Sequence, residues 1–258
     1  MEFTGKIALI SGAAQGIGAA VAHALAAGGA YVALLDHQAD KLEMLATDLQ
    51  AHGHQALAIP ADLTQSDQIK AAVDRVEHRL GPIDILVNVA GVLRMAPILD
   101  VTDEDWHTTF AVNTNGLFQL SQSVARRMVP RRRGVVITVG SNAASVPRTQ
   151  MAAYCASKAA SAQFTKCLGL ELAQFGIRCN IVSPGSTDTN MQRMLWTGPE
   201  GPAAVLRGSL EQHRLGIPLQ RIANATDIAD AVCFLASDRA RHITLHDLRV
   251  DGGATLDA

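Results

Sequence analysis

The chain reads as one α/β domain, a Rossmann-type doubly wound parallel sheet of about seven strands with helices on both faces. Three observations predict it. Short apolar runs alternate with longer helix-like stretches along the whole sequence. The runs Ile85-Leu86-Val87 and Val135-Val136-Ile137 are apolar without alternation, as strands covered on both faces require. With 258 residues, 48% of them hydrophobic, the chain can bury a large core without a second domain, so 1–258 is taken as a single unit.

The first strand is expected over 6–10. Ser11-Gly12-Ala13-Ala14-Gln15-Gly16-Ile17-Gly18 follows, then a helix-like stretch over 19–27, giving strand, glycine turn and helix. Glycine permits positive φ and close backbone approach, and the free N–H groups opening the next helix can hold a pyrophosphate. The second strand, 31–35, ends in Asp36, eighteen residues beyond Gly18, where a ribose-binding carboxylate belongs. A dinucleotide site is therefore predicted. Asp36 would accept from the adenosine ribose hydroxyls and repel a 2′-phosphate. His37, Gln38 and Ala39 supply no arginine and Gln15 is neutral, so NAD is expected rather than NADP.

Further strands are expected over 56–59, 83–87, 135–139, 177–182 and 245–250, with long helical stretches over 106–128 and 152–175. Thr102-Asp103-Glu104-Asp105 carries the signature of a helix N-cap with an acidic first turn.

Tyr154 and Lys158 stand four residues apart in the second long helical stretch, with Ser141 thirteen residues upstream. Residues i and i+4 share a helix face, so the ammonium can approach the phenol while the serine hydroxyl arrives from a strand end. This reads as a proton-transfer device. A phenol titrates near pH ~10, and bringing it to ~7 takes about 4 kcal/mol of differential stabilisation, which calls for a second positive charge beside Lys158. Bound oxidised nicotinamide would bring that charge.

Other function classes find little support. Net charge is −2 and the one basic run, Arg131-Arg132-Arg133, reads as a solvated turn before a strand, so no nucleic-acid partner is expected. No apolar run approaches a membrane span and the N-terminus has no basic-then-apolar leader, so a cytoplasmic protein is expected. Cys155, Cys167, Cys179 and Cys233 are scattered, and His52, His54, His242 and His246 lie in a turn and at a strand start, so reduced thiols and no metal are expected.

Taken together, Ser11-Gly-x-x-x-Gly16-Ile17-Gly18, Asp62, Asn88-Val89-Ala90-Gly91, Asn113, Ser141, Tyr154-x-x-x-Lys158 and Pro184-Gly185 resemble the short-chain dehydrogenases/reductases over the whole chain. Ser11 stands where threonine is commoner and Val89 where asparagine or alanine is usual. The resemblance implies Tyr154 as base and Lys158 as holder of the nicotinamide ribose and depressor of the tyrosine pKa. Ser141 would position the substrate oxygen and Asn113 would support a water-mediated proton relay. The cofactor residues it implies are Gly12, Gln15, Gly16, Ile17 and Gly18 at the turn, Asp36, Asp62 and Leu63 near the adenosine, Asn88, Ala90 and Gly91 against the cofactor, and Pro184, Gly185 and Thr187 beside the nicotinamide, with Tyr154 and Lys158 contacting it too.

Within that family, 91–95, Ser141-Asn142-Ala143-Ala144 with Pro147-Arg148, 183–193 with Leu195-Trp196, and 242–245 are similar to 2,3-dihydro-2,3-dihydroxybenzoate dehydrogenases of catechol siderophore synthesis. Asn190 stands where an aspartate is frequent. The similarity implies NAD-dependent oxidation at a CH–CH or CH–OH group of a cyclohexadiene diol acid, and a substrate lid near 187–215. A small anionic ring acid needs a cation, for which Arg94, Arg148 and Arg193 lie nearest the implied site; Arg148, between Ser141 and Tyr154, is the first choice. Met191 and Gln192 would close over the ring. Two rivals stand beside this reading: a dehydrogenase of a dihydro-3-hydroxyanthranilate-type ring acid, and a non-catalytic nucleotide-sensing or scaffold protein on the same fold. The family's habit and the small and apolar residues on several faces of 106–128 and 152–175 imply a homotetramer.

Overall fold

The parallel strands sort their side chains to opposite faces residue by residue. The computed structural model describes residues 1–196 and 200–256. Seven strands form one parallel sheet in the order β3-β2-β1-β4-β5-β6-β9: β1 (Ile7–Ser11), β2 (Tyr31–Asp36), β3 (Ala56–Pro60), β4 (Ile85–Asn88), β5 (Gly134–Val139), β6 (Ile177–Pro184) and β9 (Asp247–Val250). Ala8, Ile10, Val32, Leu34, Ile85 and Val87 enter a core with α1 (Gly16–Ala27), α2 (Ala39–Ala51) and α9 (Ala225–Ala236). Leu9, Ala33, Leu35, Leu86 and Val136 enter a second core with α3 (Ser66–Arg79) and α5 (Leu117–Arg131). The unbroken apolar runs thus reflect two buried faces with a two-residue period.

The first helix opens at Gly16, three residues before the expected start, because the last glycines of the turn already form its first turn. Thr102 caps α4 (Asp103–Phe110), its hydroxyl accepting from the Asp105 N–H at 3.0 Å. The expected helix over 106–128 is instead three pieces: α4, a π-helical segment at Ala111–Gly116, and α5. The wide turn carries Asn113 at the point where the helix passes the site. The second long stretch becomes α6 (Ala152–Leu172) and a 3-10 turn at Ala173–Phe175. The last strand begins at Asp247, not at 245, since Leu245 adopts φ 60° and cannot extend the ladder.

Between β6 and α9 lie α7 (Asn190–Arg193), α8 (Pro202–Arg207) and a two-residue antiparallel pair, β7 (Gly208–Ser209) with β8 (Arg214–Leu215), which periodicity does not show. The arginine run is not a solvated turn. Arg131 ends α5 and donates to Glu77 and to the Ile83 carbonyl, Arg132 donates to the Gln174 carbonyl, and Arg133 pairs with Asp84 at 2.9 Å. Among the described residues no helix is long and apolar enough to cross a membrane.

Candidate active site

The sheet order reverses between β1 and β4, and there the strands' C-terminal ends open into a cleft of about 570 Å³. Its floor is the glycine turn. A Cβ on Gly12 (φ +68°) would meet the Ala90 Cα at 2.6 Å, and one on Gly18 would lie 2.0 Å from the Gly12 carbonyl oxygen, so both positions exclude any side chain. The Ser11 hydroxyl accepts from the Val89 and Ala90 N–H groups at 3.2 and 3.4 Å, closing the two strand ends together. No side chain caps α1, and Gly16, Ile17 and Gly18 line the cleft, so the helix start presents backbone donors of the kind that hold a pyrophosphate.

Asp36 ends β2, buried at 7% exposure. Its carboxylate accepts from the Ala14 N–H at 3.2 Å and the Gln38 N–H at 3.0 Å, which fixes it at the cleft wall. Lys41 donates to Gln15 Oε1 and Gln38 Oε1 at 3.1 and 2.7 Å, a cation near Asp36 that a search for arginine overlooks. Asp62, Leu63, Ala90, Gly91, Pro184, Gly185 and Thr187 all line the cleft as the resemblance implies. Asn88 does not: its amide donates to the Ser121 hydroxyl at 2.9 Å, so its side chain anchors β4 to α5 behind the wall.

Tyr154 and Lys158 share the buried face of α6, and Ser141 stands just beyond the end of β5, where its hydroxyl pulls the phenol's pKa down. The Ser141 Oγ also accepts from the Ala143 N–H at 3.1 Å, which sets its rotamer. Lys158 Nζ donates to the Val139 carbonyl at 3.0 Å. Burial pushes the Tyr154 phenol up to about 12, against the lowering pull of Ser141, and brings the Lys158 ammonium down to about 8. In the protein alone, desolvation therefore opposes the depression of the tyrosine pKa that the sequence leads one to expect from Lys158. Asn113 is 1% exposed and sits behind this pair. Its Oδ1 accepts from the Val92 N–H at 2.8 Å, its amide donates to the Val92 carbonyl and the Ser157 hydroxyl at 3.0 Å each, and its own carbonyl accepts from Ser161 at 2.7 Å.

The five substrate candidates besides Ser141 divide. Arg148, Met191 and Gln192 line the cleft. Arg193 reaches its rim but is engaged by Asp188, at 2.7 and 3.1 Å, and lies over Trp196. Arg94 is absent from the lining and faces Asp105 at 3.7 Å on the outside of the molecule, a correction to its selection by sequence proximity. Sequence reading misses Arg214. It lines the cleft from β8 and donates to the Ser186 hydroxyl at 3.0 Å, yet it belongs to no motif and stands far from the others in sequence.

Residues 6–200 match the family model described as short chain dehydrogenase. The chain belongs to this family. A 2,3-dihydro-2,3-dihydroxybenzoate dehydrogenase of Bacillus subtilis is 58% identical over 252 residues, 98% of this chain and 97% of that protein. The enzyme of the same description from Escherichia coli is 43% identical over the full length of both chains. Among solved structures, a 7α-hydroxysteroid dehydrogenase complexed with NADH and 7-oxo glycochenodeoxycholic acid superposes with a TM-score of 0.91 at 32% identity, covering 99% of this chain and 96% of that one. In this chain the glycine turn, the aspartate ending β2 and the Tyr-x-x-x-Lys helix open onto one cleft.

Proposed function

We propose that this short-chain dehydrogenase oxidises 2,3-dihydro-2,3-dihydroxybenzoate to 2,3-dihydroxybenzoate with NAD, in catechol siderophore synthesis. The observation that carries the reading is the junction, in one cleft, of the Ser141–Tyr154–Lys158 group with a wall bearing Arg148 and Gln192, in a chain 58% identical to an enzyme of that activity. The cofactor fits the residues present: the uncapped α1 start for the pyrophosphate, Asp36 for the adenosine ribose, and Lys158 and Tyr154 for the nicotinamide ribose. When bound, NAD supplies the hydride acceptor and a positive charge.

The chain's residues do the rest. Ser141 holds the ring hydroxyl oxygen, and Tyr154 takes its proton as a hydride leaves the same carbon, so one hydride and one proton depart and a C=O forms. The ring ketone then tautomerises to the catechol, and aromatisation draws the oxidation forward. Lys158 favours the phenolate, and Asn113 holds the Val92 backbone and Ser157 in place and offers its carbonyl to a water-mediated relay. Met191 and Gln192, in the lid near 187–215, of which 197–199 lie outside the described residues, cover the ring. Four unpaired cysteines suit a reducing cytoplasm. A homotetramer is supported by the outer faces of α5 and α6, where Phe118, 41% exposed, packs edge-on against Phe164.

The test is a panel of the dihydroxy and amino-hydroxy cyclohexadiene acids with NAD and NADP, followed by cofactor reduction and catechol fluorescence. The expected result is both signals with the diol acid and NAD; neither signal overturns the reading, and preference for the amino acid moves it to that substrate.

A further inference from the structure

Burying a cation without an anion is costly, and two like cations in one pocket cost more. Arg148 and Arg214 line the same cleft, and the burial of each lowers its pKa; the charge of Arg148 lowers that of Arg214 further. Among the described residues neither has a carboxylate within ion-pair distance, Asp251 acting on Arg148 only from further off and too weakly to offset its burial, whereas Arg193 is paired with Asp188 and Arg94 faces Asp105. Arg214 gives one bond to Ser186, which leaves most of its planar five-donor fork available. The same cleft is lined by Gln192, whose buried Nε2 donor has no partner. The ring end of the cleft is rich in donors and positive charge.

We infer that Arg214 and Arg148 together clamp the carboxylate of the ring acid, with Arg214 a specificity-determining residue of the substrate site. The inference rests on the proposed dehydrogenase function for the identity of the ring acid. Geometry explains why β7 and β8 exist: a Cβ on Gly208 would meet the Gly216 nitrogen at 2.4 Å and one on Gly216 would meet the Leu206 carbonyl at 2.1 Å. This tight hairpin fixes Arg214 against Ser186, in the loop that leaves β6, and so fixes the distance from the carboxylate to the proton-transfer group.

The test uses the NAD-loaded protein, with salicylate and salicylamide as probes that differ in charge at one position. In R214M, salicylate should bind roughly 10- to 100-fold more weakly while salicylamide and NAD change little, because a charged hydrogen bond is lost from the acid alone. R214K should recover part of the salicylate affinity, and R148M should show the same split. With the diol acid and its carboxamide, the acid-to-amide ratio of kcat/KM should fall in R214M by a similar factor. Equal losses for acid and amide, a loss confined to NAD, or no loss overturns the inference. A wild-type protein that binds salicylate through Arg214 but does not oxidise the diol acid overturns the proposed function and leaves the clamp standing. Should R214M not fold, R214K reads the same acid-to-amide split.

Discussion

The Lys158 ammonium donates to the Val139 carbonyl at 3.0 Å and stands 5.8 Å from the centre of the Tyr154 ring. The bond ties α6 to the end of β5, holding a cation inside the protein where burial lowers its pKa to about 8 from 10.5. Between those values the unfolded chain carries a proton that the folded chain has lost. The contribution of Lys158 to stability therefore rises as pH rises from 8 to 10.5, and below 8 the folded protein bears the full cost of the buried charge. K158M should accordingly be more stable than the wild type at pH 7, by up to roughly 3 kcal/mol less the lost Val139 bond, with the gap closing towards pH 10.5. Denaturant unfolding across that range measures it; a less stable K158M at pH 7 would contradict the cost of burial.

Tyr154 carries the opposite problem, a phenol held neutral by burial with its pKa pushed up to about 12. A nearby positive charge is what the proton acceptor requires. NAD binding should lower the pH at which the Tyr154 phenolate absorbance appears, read in the near ultraviolet against Y154F, which leaves Tyr31 as the remaining tyrosine. Y154F should lose roughly 100- to 10,000-fold in kcat with NAD affinity largely kept. Retained turnover would remove Tyr154 from proton transfer.

Most of this site was legible because its residues are fixed by backbone chemistry. Gly12 and Gly18 are demanded by contacts of 2.6 and 2.0 Å, and Asp36 by its place at a strand end, so their spacing survives as a pattern in the sequence. The π segment at Ala111–Gly116 was not legible: its helical periodicity is continuous with α4 and α5, and the wider turn is set by Asn113 reaching across to Val92, a contact twenty-one residues away. Arg214 was hidden for the same reason, since a hairpin of two-residue strands leaves no periodic trace and its partner Ser186 lies twenty-eight residues back. Sequence proximity picked Arg94, whose side chain turns outward instead.

Arg94 supplies the contrasting case. With its side chain 57% exposed and its 3.7 Å approach to Asp105 at the surface, R94A should change stability by less than about 1 kcal/mol and leave the KM for the ring acid within about twofold. Steady-state kinetics on the diol acid decides it, and a KM rise comparable to that of R148M would return Arg94 to the substrate site.

Asn113 joins three segments through one side chain: the π turn, the loop after β4 at Val92 and α6 at Ser157. N113A strands the half-buried Val92 N–H and carbonyl, at a cost of roughly 1–3 kcal/mol. Gly91 lies against both groups, an added Cβ there standing 3.3 Å from Asn113 Oδ1 and 3.5 Å from Lys158 Nζ, so the disturbance should reach the lysine. The expected outcome is a lower denaturation midpoint together with a fall in kcat/KM; unchanged stability would show that the three bonds are not held in solution.

Asp36 and Lys41 set opposing electrostatics at the adenosine end. The carboxylate is fixed by two backbone N–H groups, and the ammonium is held a short way off by Gln15 and Gln38. A 2′-phosphate would meet repulsion from the first and attraction from the second, and the buried charge should prevail because it is less screened than the exposed lysine. D36N keeps the acceptor geometry towards Ala14 through its carbonyl oxygen but removes the charge, leaving Lys41 unopposed. Its NAD-to-NADP ratio of kcat/KM should fall by roughly 10- to 100-fold, mostly through a lower KM for NADP, and D36N with K41A should restore part of the preference. A D36N variant that discriminates as strongly as the wild type would mean that shape at the ribose, rather than the Asp36 charge, selects the cofactor.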